Sequence, residues 1–206
     1  LVLEVGMGGE WDSTNVADGD VAVFTPIDLD HMERLGSTIA EIATTKAGII
    51  KSGAAVVTSA QQPESLEVLD RVASAVGSSF DVYGKDFEIT EFSEDPRGIT
   101  FSLKTRTGDY QNLFMPLHGK YQAENAAVAI AAVEQFMGSG QNAVPEELLR
   151  TALADVSSPG RLQVIAKKPT VLLDAAHNPH GARSLANALT YSFDSPDAIG
   201  VVSILG

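Results

Sequence analysis

A glutamate followed by a glycine-rich turn is the first group of residues that could do chemistry. Glu4 ends a short apolar stretch, and Val-Gly-Met-Gly-Gly follows it at residues 5–9. A carboxylate at the C-terminal end of a buried strand faces the crevice where open α/β sheets bind ligands. The glycines allow a ligand or a second loop to approach the backbone closely. The pattern favours a phosphate or metal site, with a glycine-rich turn and a capping glutamate as the open alternative.

A histidine among acidic residues follows the next predicted strand. Asp-Leu-Asp-His, residues 28–31, comes soon after an apolar run at residues 21–25. If the two strands are parallel neighbours, Glu4 and His31 open at the same sheet edge and could share a cation. Two ligands are too few for Mg²⁺, which takes about six, mostly oxygen, and keeps waters and substrate phosphates among them. An ordinary surface or capping histidine is the alternative interpretation.

Two further stretches carry polar residues near predicted helix ends. Lys46 lies in a last helical turn, where a lysine interacts favourably with the helix dipole. The apolar residues 47–50 after it indicate that the chain turns inward there. Gln122 and Asn125, three apart, share one face at the start of an Ala-rich helix. Amides there suit the polar edges of a nucleotide, and a helix N-terminus favours phosphate, although simple helix capping explains the spacing equally well.

The last group lies at a predicted domain junction. Ser-Ser-Pro-Gly, residues 157–160, is a turn-rich segment that predicts one domain at 1–158 and a second at 159–206. The guanidinium of Arg161, directly after it, suits bidentate contact with phosphate once two domains close. Asp-Ala-Ala-His-Asn-Pro, residues 174–179, follows a predicted buried strand and leads into a helix. Taken singly, each of these motifs is weak.

Hydrophobic periodicity predicts the elements that position these residues. Short β-branched runs alternate with helical segments, which indicates an α/β fold with a mostly parallel sheet flanked by helices. Between residues 87 and 115 the period changes to two, which predicts an antiparallel meander. The predicted parallel strands are residues 1–5, 21–25, 55–58, 171–174 and 199–204. Because both chain ends fall inside predicted strands, we expect the sequence to be an internal fragment.

Capping signals predict where the helices begin and end. Thr38 and Glu41 form a capping box that begins one helix, which is expected to end at Gly48 with a positive φ. An Ala-rich helix is predicted for residues 121–137. Prolines in the first turn predict further helix starts at Pro63, Pro145 and Pro179.

Composition excludes several classes of function. The formal net charge of −13 repels phosphate backbones and anionic membranes, so no nucleic acid and no membrane is expected as a partner. The lack of cysteine excludes disulfides, catalytic thiols and thiolate metal sites, and fits a cytoplasmic enzyme. No apolar run approaches the ~20 residues of a membrane span. An anionic substrate must therefore be bound by a few placed cations or by metal ions.

In this order, the motifs resemble the folylpolyglutamate synthase/dihydrofolate synthase branch of the Mur ligase superfamily. The similarity covers essentially the whole chain, and residues 3–15 are similar to a specific signature of that branch. The other matching blocks are Asp30-His31 with Leu35-Gly36, Lys46-Ala47-Gly48-Ile49, Leu117-His118-Gly119 with Gln122 and Asn125, Ser158-Pro159-Gly160-Arg161, and residues 174–179. The resemblance implies a central ATP-binding domain without the P-loop, which would precede Leu1, and the beginning of a Rossmann-like C-terminal glutamate-ligase domain.

The function implied by the resemblance is an ATP- and Mg²⁺-dependent ligase. Such an enzyme adds L-glutamate to folate or dihydropteroate through an acyl phosphate. It is expected to be a cytoplasmic monomer whose ligands are these small molecules, with a monovalent cation as an optional further ion. Lacking the P-loop, the fragment itself is expected to be inactive. The alternatives are a Mur-type ligase of peptidoglycan precursors, a non-catalytic binding domain, and a metallohydrolase built on Glu4 and His31.

The same resemblance implies roles for individual residues. The metal ligands are Glu4, His31 and a carbamylated Lys46; the residues that contact ATP are Gln122, Asn125, Arg161 and Asp174; the catalytic residues are Lys46, Arg161 and His177. The sequence departs from the family pattern at two places. Glu10 stands where the family commonly has arginine, and Thr45 where it commonly has glutamate.

Overall fold

The computed structural model describes residues 1–138, 140–168, 170–176 and 179–192, apart from the side chains of residues 179, 180, 191 and 192. Helices and strands alternate over most of this length, which is typical of an α/β fold. The strands are β1 (Val21–Phe24), β2 (Ala55–Thr58), β3 (Ser79–Val82), β4 (Glu88–Asp95), β5 (Gly98–Lys104), β6 (Asp109–Met115), β7 (Gln163–Lys167) and β8 (Thr170–Leu173). The helices are α1 (Met32–Leu35), α2 (Ile39–Ala47), α3 (Pro63–Ala75), α4 (Lys120–Gly138), α5 (Glu146–Ala154) and α6 (Pro179–Ser192).

A parallel sheet with the strand order β1-β2-β3 forms the centre of the fold. Val56 and Val57 are adjacent in β2, and both are fully buried. Val56 belongs to a core with Ile42 of α2 and Leu69 of α3, whereas Val57 belongs to the core that contains α4. Because successive strand residues face opposite sides, the sheet is covered on both faces, as the apolar runs at residues 21–25 and 55–58 predict.

The predicted strand at residues 1–5 does not form. This segment is irregular, and the side chains of Leu1 and Val2 are fully exposed. A strand needs the backbone of a neighbour to satisfy its polar groups, and no strand in the described part of the chain pairs with these residues. The third strand of the sheet is instead β3, which the sequence patterns missed because its four residues are too short and too mixed to show a period.

The predicted strand at residues 171–174 forms as β8, but its pairing was predicted wrongly. It pairs antiparallel with β7 and not in a parallel sheet. Only residues 168 and 169 separate the two strands, and so short a connection permits antiparallel pairing alone. The predicted strand at residues 199–204 lies outside the described residues.

The antiparallel meander is confirmed, with the order β4-β5-β6. Ile99, Phe101 and Leu103 on β5 are buried in one cluster with Leu113 of β6 and the alanines of α4. Burying each such large apolar side chain contributes roughly 1.5–3 kcal/mol before entropy is counted. Helix α4 therefore packs against one face of the meander.

The helix predictions are largely confirmed, including the capping box of α2. The Glu41 amide donates to Thr38 Oγ1 over 3.2 Å, and the Thr38 amide donates back to Glu41 Oε2 over 3.2 Å. Helices also begin at or directly after the three predicted prolines. None of the described helices combines the length and apolar character needed to cross a bilayer.

The predicted reason for a glycine at position 48 is wrong. Gly48 follows α2 with φ −61°, an ordinary right-handed conformation. A Cβ on this residue would lie 2.5 Å from Cβ and 2.7 Å from Cα of Glu10. The glycine is therefore required by close approach of a second segment and not by a left-handed cap.

Candidate functional site

Residues 6–15, here called the glycine loop, are shaped by the carboxylate of Asp12. Its Oδ2 accepts from the Met7 amide at 3.0 Å, and its Oδ1 accepts from the amide and hydroxyl of Thr14 at 2.9 and 2.6 Å. The Thr14 hydroxyl, followed by the amides of Thr14 and Met7, lowers the pKa of Asp12 to about 2. These hydrogen bonds within the loop stabilise one conformation of its backbone.

Asn15 joins the glycine loop to the end of α2. Its side-chain amide donates to the Glu10 carbonyl at 3.0 Å and to the Gly48 carbonyl at 3.2 Å. The Glu10 amide donates to the Thr45 carbonyl at 2.9 Å, and Lys51 Nζ donates to the Asn15 carbonyl at 2.9 Å. Three of these four bonds span more than thirty positions of sequence, so the loop and the helix end form one unit.

Gly9 brings the glycine loop against the backbone of the residue predicted to be modified. A Cβ on Gly9 would lie 2.8 Å from the Lys46 carbonyl oxygen and 2.9 Å from that of Thr45. The Lys46 side chain is itself partly buried. The structure therefore supports the expectation that the chain turns inward at Lys46.

An open cavity of about 360 Å³ lies where three of the predicted motifs converge. The glycine loop, α1 and the last turn of α2 all contribute to it. Its lining consists of Met7, Gly9, Trp11, Asp12, Ser13, Arg34, Leu35 and Thr45. Apolar side chains thus stand beside one guanidinium and one carboxylate, and Trp11 is 85% exposed.

The predicted metal ligands Glu4 and His31 lie near this cavity in sequence but do not line it. Both are exposed. His31 has a left-handed φ of 48°, its amide donates to Asp30 Oδ1 at 2.9 Å, and its Nε2 lies 3.9 Å from the same oxygen. Within the described residues, no group of three or more histidine and acidic side chains is placed to hold a metal ion. The metal site therefore stays a prediction.

Residues 28–31, here called the acidic loop, contact the C-terminal part of the chain. Arg183 of α6 donates to Asp28 Oδ2 at 2.9 Å across 155 positions of sequence. The Arg183 side chain is 65% exposed and that of Asp28 is 26% exposed. Sequence patterns gave no signal for this ion pair, because nothing local relates the two residues.

The predicted nucleotide residues of α4 differ in exposure. Gln122 is buried, and its backbone amide donates to the Gly119 carbonyl at 3.0 Å, whereas Asn125 is exposed. Burial raises the pKa of the neighbouring Tyr121 hydroxyl, and the Asp174 carboxylate raises it further, while Gln122 and the Arg161 guanidinium act in the opposite direction. The charges of Arg161 and Asp174 therefore act on Tyr121, next to Gln122 at the start of α4.

Asp174 has a structural role that the sequence did not predict. Its two carboxylate oxygens accept from the amides of Leu162 and Ala176, each at 2.8 Å. The Ala175 amide donates to the Gly160 carbonyl at 2.8 Å. These bonds fasten the end of β8 to the predicted domain junction. His177, the predicted catalytic histidine, lies outside the described residues, and the Arg161 side chain is exposed.

Sequence reasoning also missed Glu94, at the end of β4. Its Oε1 lies 2.9 Å from Nδ1 of His118 and accepts from the Gly119 amide at 3.3 Å. His118 belongs to a motif that the sequence shows, but its partner comes from the meander, 24 positions earlier. No periodicity or spacing relates the two.

The family model of the Mur ligase middle domain matches residues 1–133. This is well over half of the chain, so the chain belongs to the Mur ligase family. The parallel sheet, the antiparallel meander and the flanking helices agree with that class. The expectation of a Mur-ligase-like α/β fold is thereby confirmed.

Known relatives place the chain within that family. It is 42% identical to the dihydrofolate synthase/folylpolyglutamate synthase of Mycobacterium tuberculosis, over 100% of this chain and 44% of that protein. It is 38% identical to the Bacillus subtilis protein of the same name, over 94% and 45%. These relatives confirm the resemblance found in the motifs. The chain spans slightly less than half the length of each relative.

Solved structures of folylpolyglutamate synthases (FPGS) have the same fold. An FPGS–AMPPCP–folate complex matches with a TM-score of 0.90 and 36% identity, over 95% of this chain and 48% of that one. The Mycobacterium tuberculosis folylpolyglutamate synthase complexed with ADP and AMPPCP matches with a TM-score of 0.87 and 41% identity, over 93% and 43%.

Proposed function

We propose that the whole protein is an ATP-dependent ligase that joins L-glutamate to folate or dihydropteroate. The observation that carries this proposal is the cavity at which the glycine loop, the segment after the acidic loop and the end of α2 converge. The relatives with folate-glutamate ligase names support the folate reading over a peptidoglycan precursor. We also propose a domain boundary between residues 158 and 159, at the junction fastened by Asp174.

The cavity suits an aromatic acid. Its volume of about 360 Å³ falls in the usual range of small-molecule sites. Met7, Leu35 and the exposed Trp11 offer an apolar surface on which a pterin or benzoate ring can lie. The Arg34 guanidinium beside them can pair with a substrate carboxylate. We therefore assign the acceptor substrate to this cavity.

The two predicted metal ligands, Glu4 and His31, would fit Mg²⁺ only with added ligands. Glu4 offers a carboxylate and His31 an imidazole on exposed segments, and nucleotide phosphates and water would complete the set. When bound, the ion would neutralise charge on the phosphate oxygens. Carbamylation of Lys46 would add another oxygen ligand. A mass increase of one CO₂ on Lys46 in bicarbonate-saturated whole protein would support this, and its absence there would argue against it.

ATP is proposed to bind at the start of α4. Gln122 and Asn125 lie in its first turns, and the charges of Arg161 and Asp174 act on the Tyr121 hydroxyl there. The exposed Arg161 is available to contact phosphate, and His177 is proposed to take part from the C-terminal side. The whole protein is further proposed to act as a cytoplasmic monomer.

The chemistry proceeds in two steps that the chain's own residues position. A substrate carboxylate oxygen attacks the γ-phosphorus of ATP, which forms an acyl phosphate and releases ADP. The amine of L-glutamate then attacks the acyl carbon, loses a proton, and displaces phosphate to leave an amide. Because water would hydrolyse the acyl phosphate, closure at the Ser158–Arg161 junction would protect it.

Turnover by the whole protein tests this function. With ATP, Mg²⁺ and L-glutamate, we expect ADP release and a glutamylated product, detected by mass spectrometry, when dihydropteroate or a reduced folate is supplied. No ADP release with either acceptor would contradict the proposal. Release only with a nucleotide-linked muramyl acceptor would assign the protein to peptidoglycan synthesis instead.

Substitution of the predicted metal ligands tests the site. Glu4→Ala and His31→Ala should each reduce kcat by about 100-fold or more, because phosphoryl transfer loses charge neutralisation. Glu33→Ala is a matched control, since Glu33 is an exposed acid two positions after His31. Unchanged turnover in both ligand variants would remove the metal assignment.

A further inference from the structure

A nearly buried acid–histidine pair connects the meander to the start of α4. The side chains of Glu94 and His118 are only 9% and 11% exposed, although both are ionisable. Residues of this kind are seldom buried unless they are paired and hydrogen-bonded. Glu94 Oε1 is 2.9 Å from His118 Nδ1 and also accepts from the Gly119 amide at 3.3 Å. One carboxylate oxygen of Glu94 thus contacts both the imidazole ring of His118 and the backbone amide of Gly119.

The contact fixes which nitrogen of His118 carries a proton. Nδ1 faces a carboxylate oxygen, so it must act as the donor. This holds for the neutral imidazole and for the imidazolium alike.

A chain of hydrogen bonds leads from this pair to a proposed nucleotide residue. The Glu94 carboxylate accepts from the backbone amide of Gly119, and the Gly119 carbonyl accepts from the backbone amide of Gln122 at 3.0 Å. Gly119 has a φ of 93°, a conformation that side chains rarely adopt. Glycine adopts this conformation readily, and the bond to Glu94 ties the turn to the meander.

The turn is also confined by its surroundings. A Cβ on Gly119 would lie 2.6 Å from the Tyr121 ring and 3.4 Å from Cβ of Ala188 on α6. The start of α4 is thus placed between the meander and the C-terminal helix. A small displacement of the turn would move Gln122 relative to both.

We propose that Glu94 and His118 are positioning residues for the nucleotide. They hold the Gly119 turn and, through its bond to the backbone amide of Gln122, fix the position of the first turn of α4, where ATP is proposed to bind. The inference rests on the proposed function, because it takes the start of α4 as the nucleotide site. It adds the meander to the parts of the molecule on which nucleotide affinity depends.

Nucleotide affinity of whole-protein variants tests the proposal. We expect Glu94→Ala and His118→Leu to weaken binding of a non-hydrolysable ATP analogue about 10-fold in calorimetry, the effect of losing one buried charged hydrogen bond. KM for ATP should rise in parallel, while KM for L-glutamate stays unchanged. His118→Asn should remain within about 3-fold of wild type, because its amide can donate from the position of Nδ1.

Two further variants separate positioning from folding. Glu91→Gln is the matched control, since Glu91 lies on the same strand and accepts from Ser102 Oγ at 3.1 Å, away from the Gly119 turn. It should leave nucleotide affinity unchanged. Glu94→Gln keeps an acceptor oxygen and loses the charge, so it should fold and bind with intermediate affinity if Glu94→Ala fails to fold.

Three results would overturn the inference. The first is wild-type affinity in Glu94→Ala, Glu94→Gln and His118→Leu, even if their melting temperatures fall. The second is an equal loss in Glu91→Gln, which would indicate general damage to the meander. The third is a lack of nucleotide binding by the wild-type protein, which would sink the proposed function and this inference together.

Discussion

The glycine loop lines the cavity and the acidic loop directly precedes α1, which also lines it, yet the two loops are held in different ways. The glycine loop is fastened through Asp12 within itself and through Asn15 to the end of α2. The acidic loop presents an exposed His31, its carboxylates accept from the amides of Leu29 and His31, and Asp28 pairs with Arg183 of α6. The glycine loop, which lines the cavity, is thus held by several hydrogen bonds to backbone groups, whereas the acidic loop, which does not line it, reaches α6 through an exposed ion pair.

The difference indicates where the site is preorganised. Backbone groups at fixed distances keep their geometry before any ligand arrives, which is the condition for accurate placement of substrate. An exposed ion pair contributes little and is screened by salt. We therefore expect the glycine loop to tolerate few substitutions. In the acidic loop, we expect the effect of removing the ion pair to depend on ionic strength.

The largest effect is expected where the glycine loop meets α2. In Gly48→Ala, the new methyl group would lie 2.5 Å from Cβ and 2.7 Å from Cα of Glu10. Such overpacking should lower the free energy of unfolding by about 1–3 kcal/mol, measured by urea denaturation of the whole protein. Turnover should fall as well, because the loop is displaced from the cavity.

Gly19→Ala is the control for that substitution. Its Cβ would have only the Val21 carbonyl oxygen nearby, at 3.8 Å. The change in unfolding free energy should stay within about 0.5 kcal/mol. Equal stability of the two variants would mean that close packing at Gly48 does not hold the loop.

An intermediate effect is expected from pH. The pKa of Asp12 is lowered from 3.8 to about 2, chiefly by the Thr14 hydroxyl. Because the folded value is the lower one, the bonded carboxylate stabilises the loop above pH 3.8 and that contribution is lost as the pH falls through about 2. Carbonyl NMR should give a titration midpoint near the lower value.

Asp95 provides a comparison for this titration. Its pKa is also about 2, but the Arg97 guanidinium is the main cause. In high salt the Asp95 midpoint should rise more than that of Asp12, since ionic attraction is screened and neutral hydrogen bonds are not. A titration midpoint of Asp12 close to pH 3.8 would show that the hydrogen bonds to its carboxylate are not formed in solution.

The smallest effect is expected in the acidic loop. Asp28→Asn or Arg183→Gln removes an ion pair whose arginine is 65% exposed. A double-mutant cycle should give a coupling free energy below about 1 kcal/mol, and it should disappear at high ionic strength. A coupling that persists in salt would mean that this loop, too, is firmly built.

Local signals predicted most helices of this chain. The capping box at Thr38 and Glu41 acts within four residues, and proline fixes its own φ, so both can be read without tertiary knowledge. Residues 1–5 show the limit of this reading. Their apolar character is that of a buried strand, but a strand also requires a partner, and no described strand supplies one.

The candidate site was predictable in its residue types but not in its supports. Glu4, His31, Lys46 and Gln122 stand out because of their chemistry and their place beside predicted elements. The contacts that hold the site come from elsewhere. Glu94 reaches His118 across 24 positions, and Arg183 reaches Asp28 across 155.

The sequence by itself determined the order of the motifs, the family they indicate and the positions at which most helices begin. Only the tertiary structure decided that β3 joins the parallel sheet, that β8 pairs antiparallel, and that residue 48 must be glycine because Glu10 packs against it. The physical reason is range. Capping and backbone preferences act over a few residues, whereas strand pairing and close packing depend on segments that meet only when the whole chain has folded.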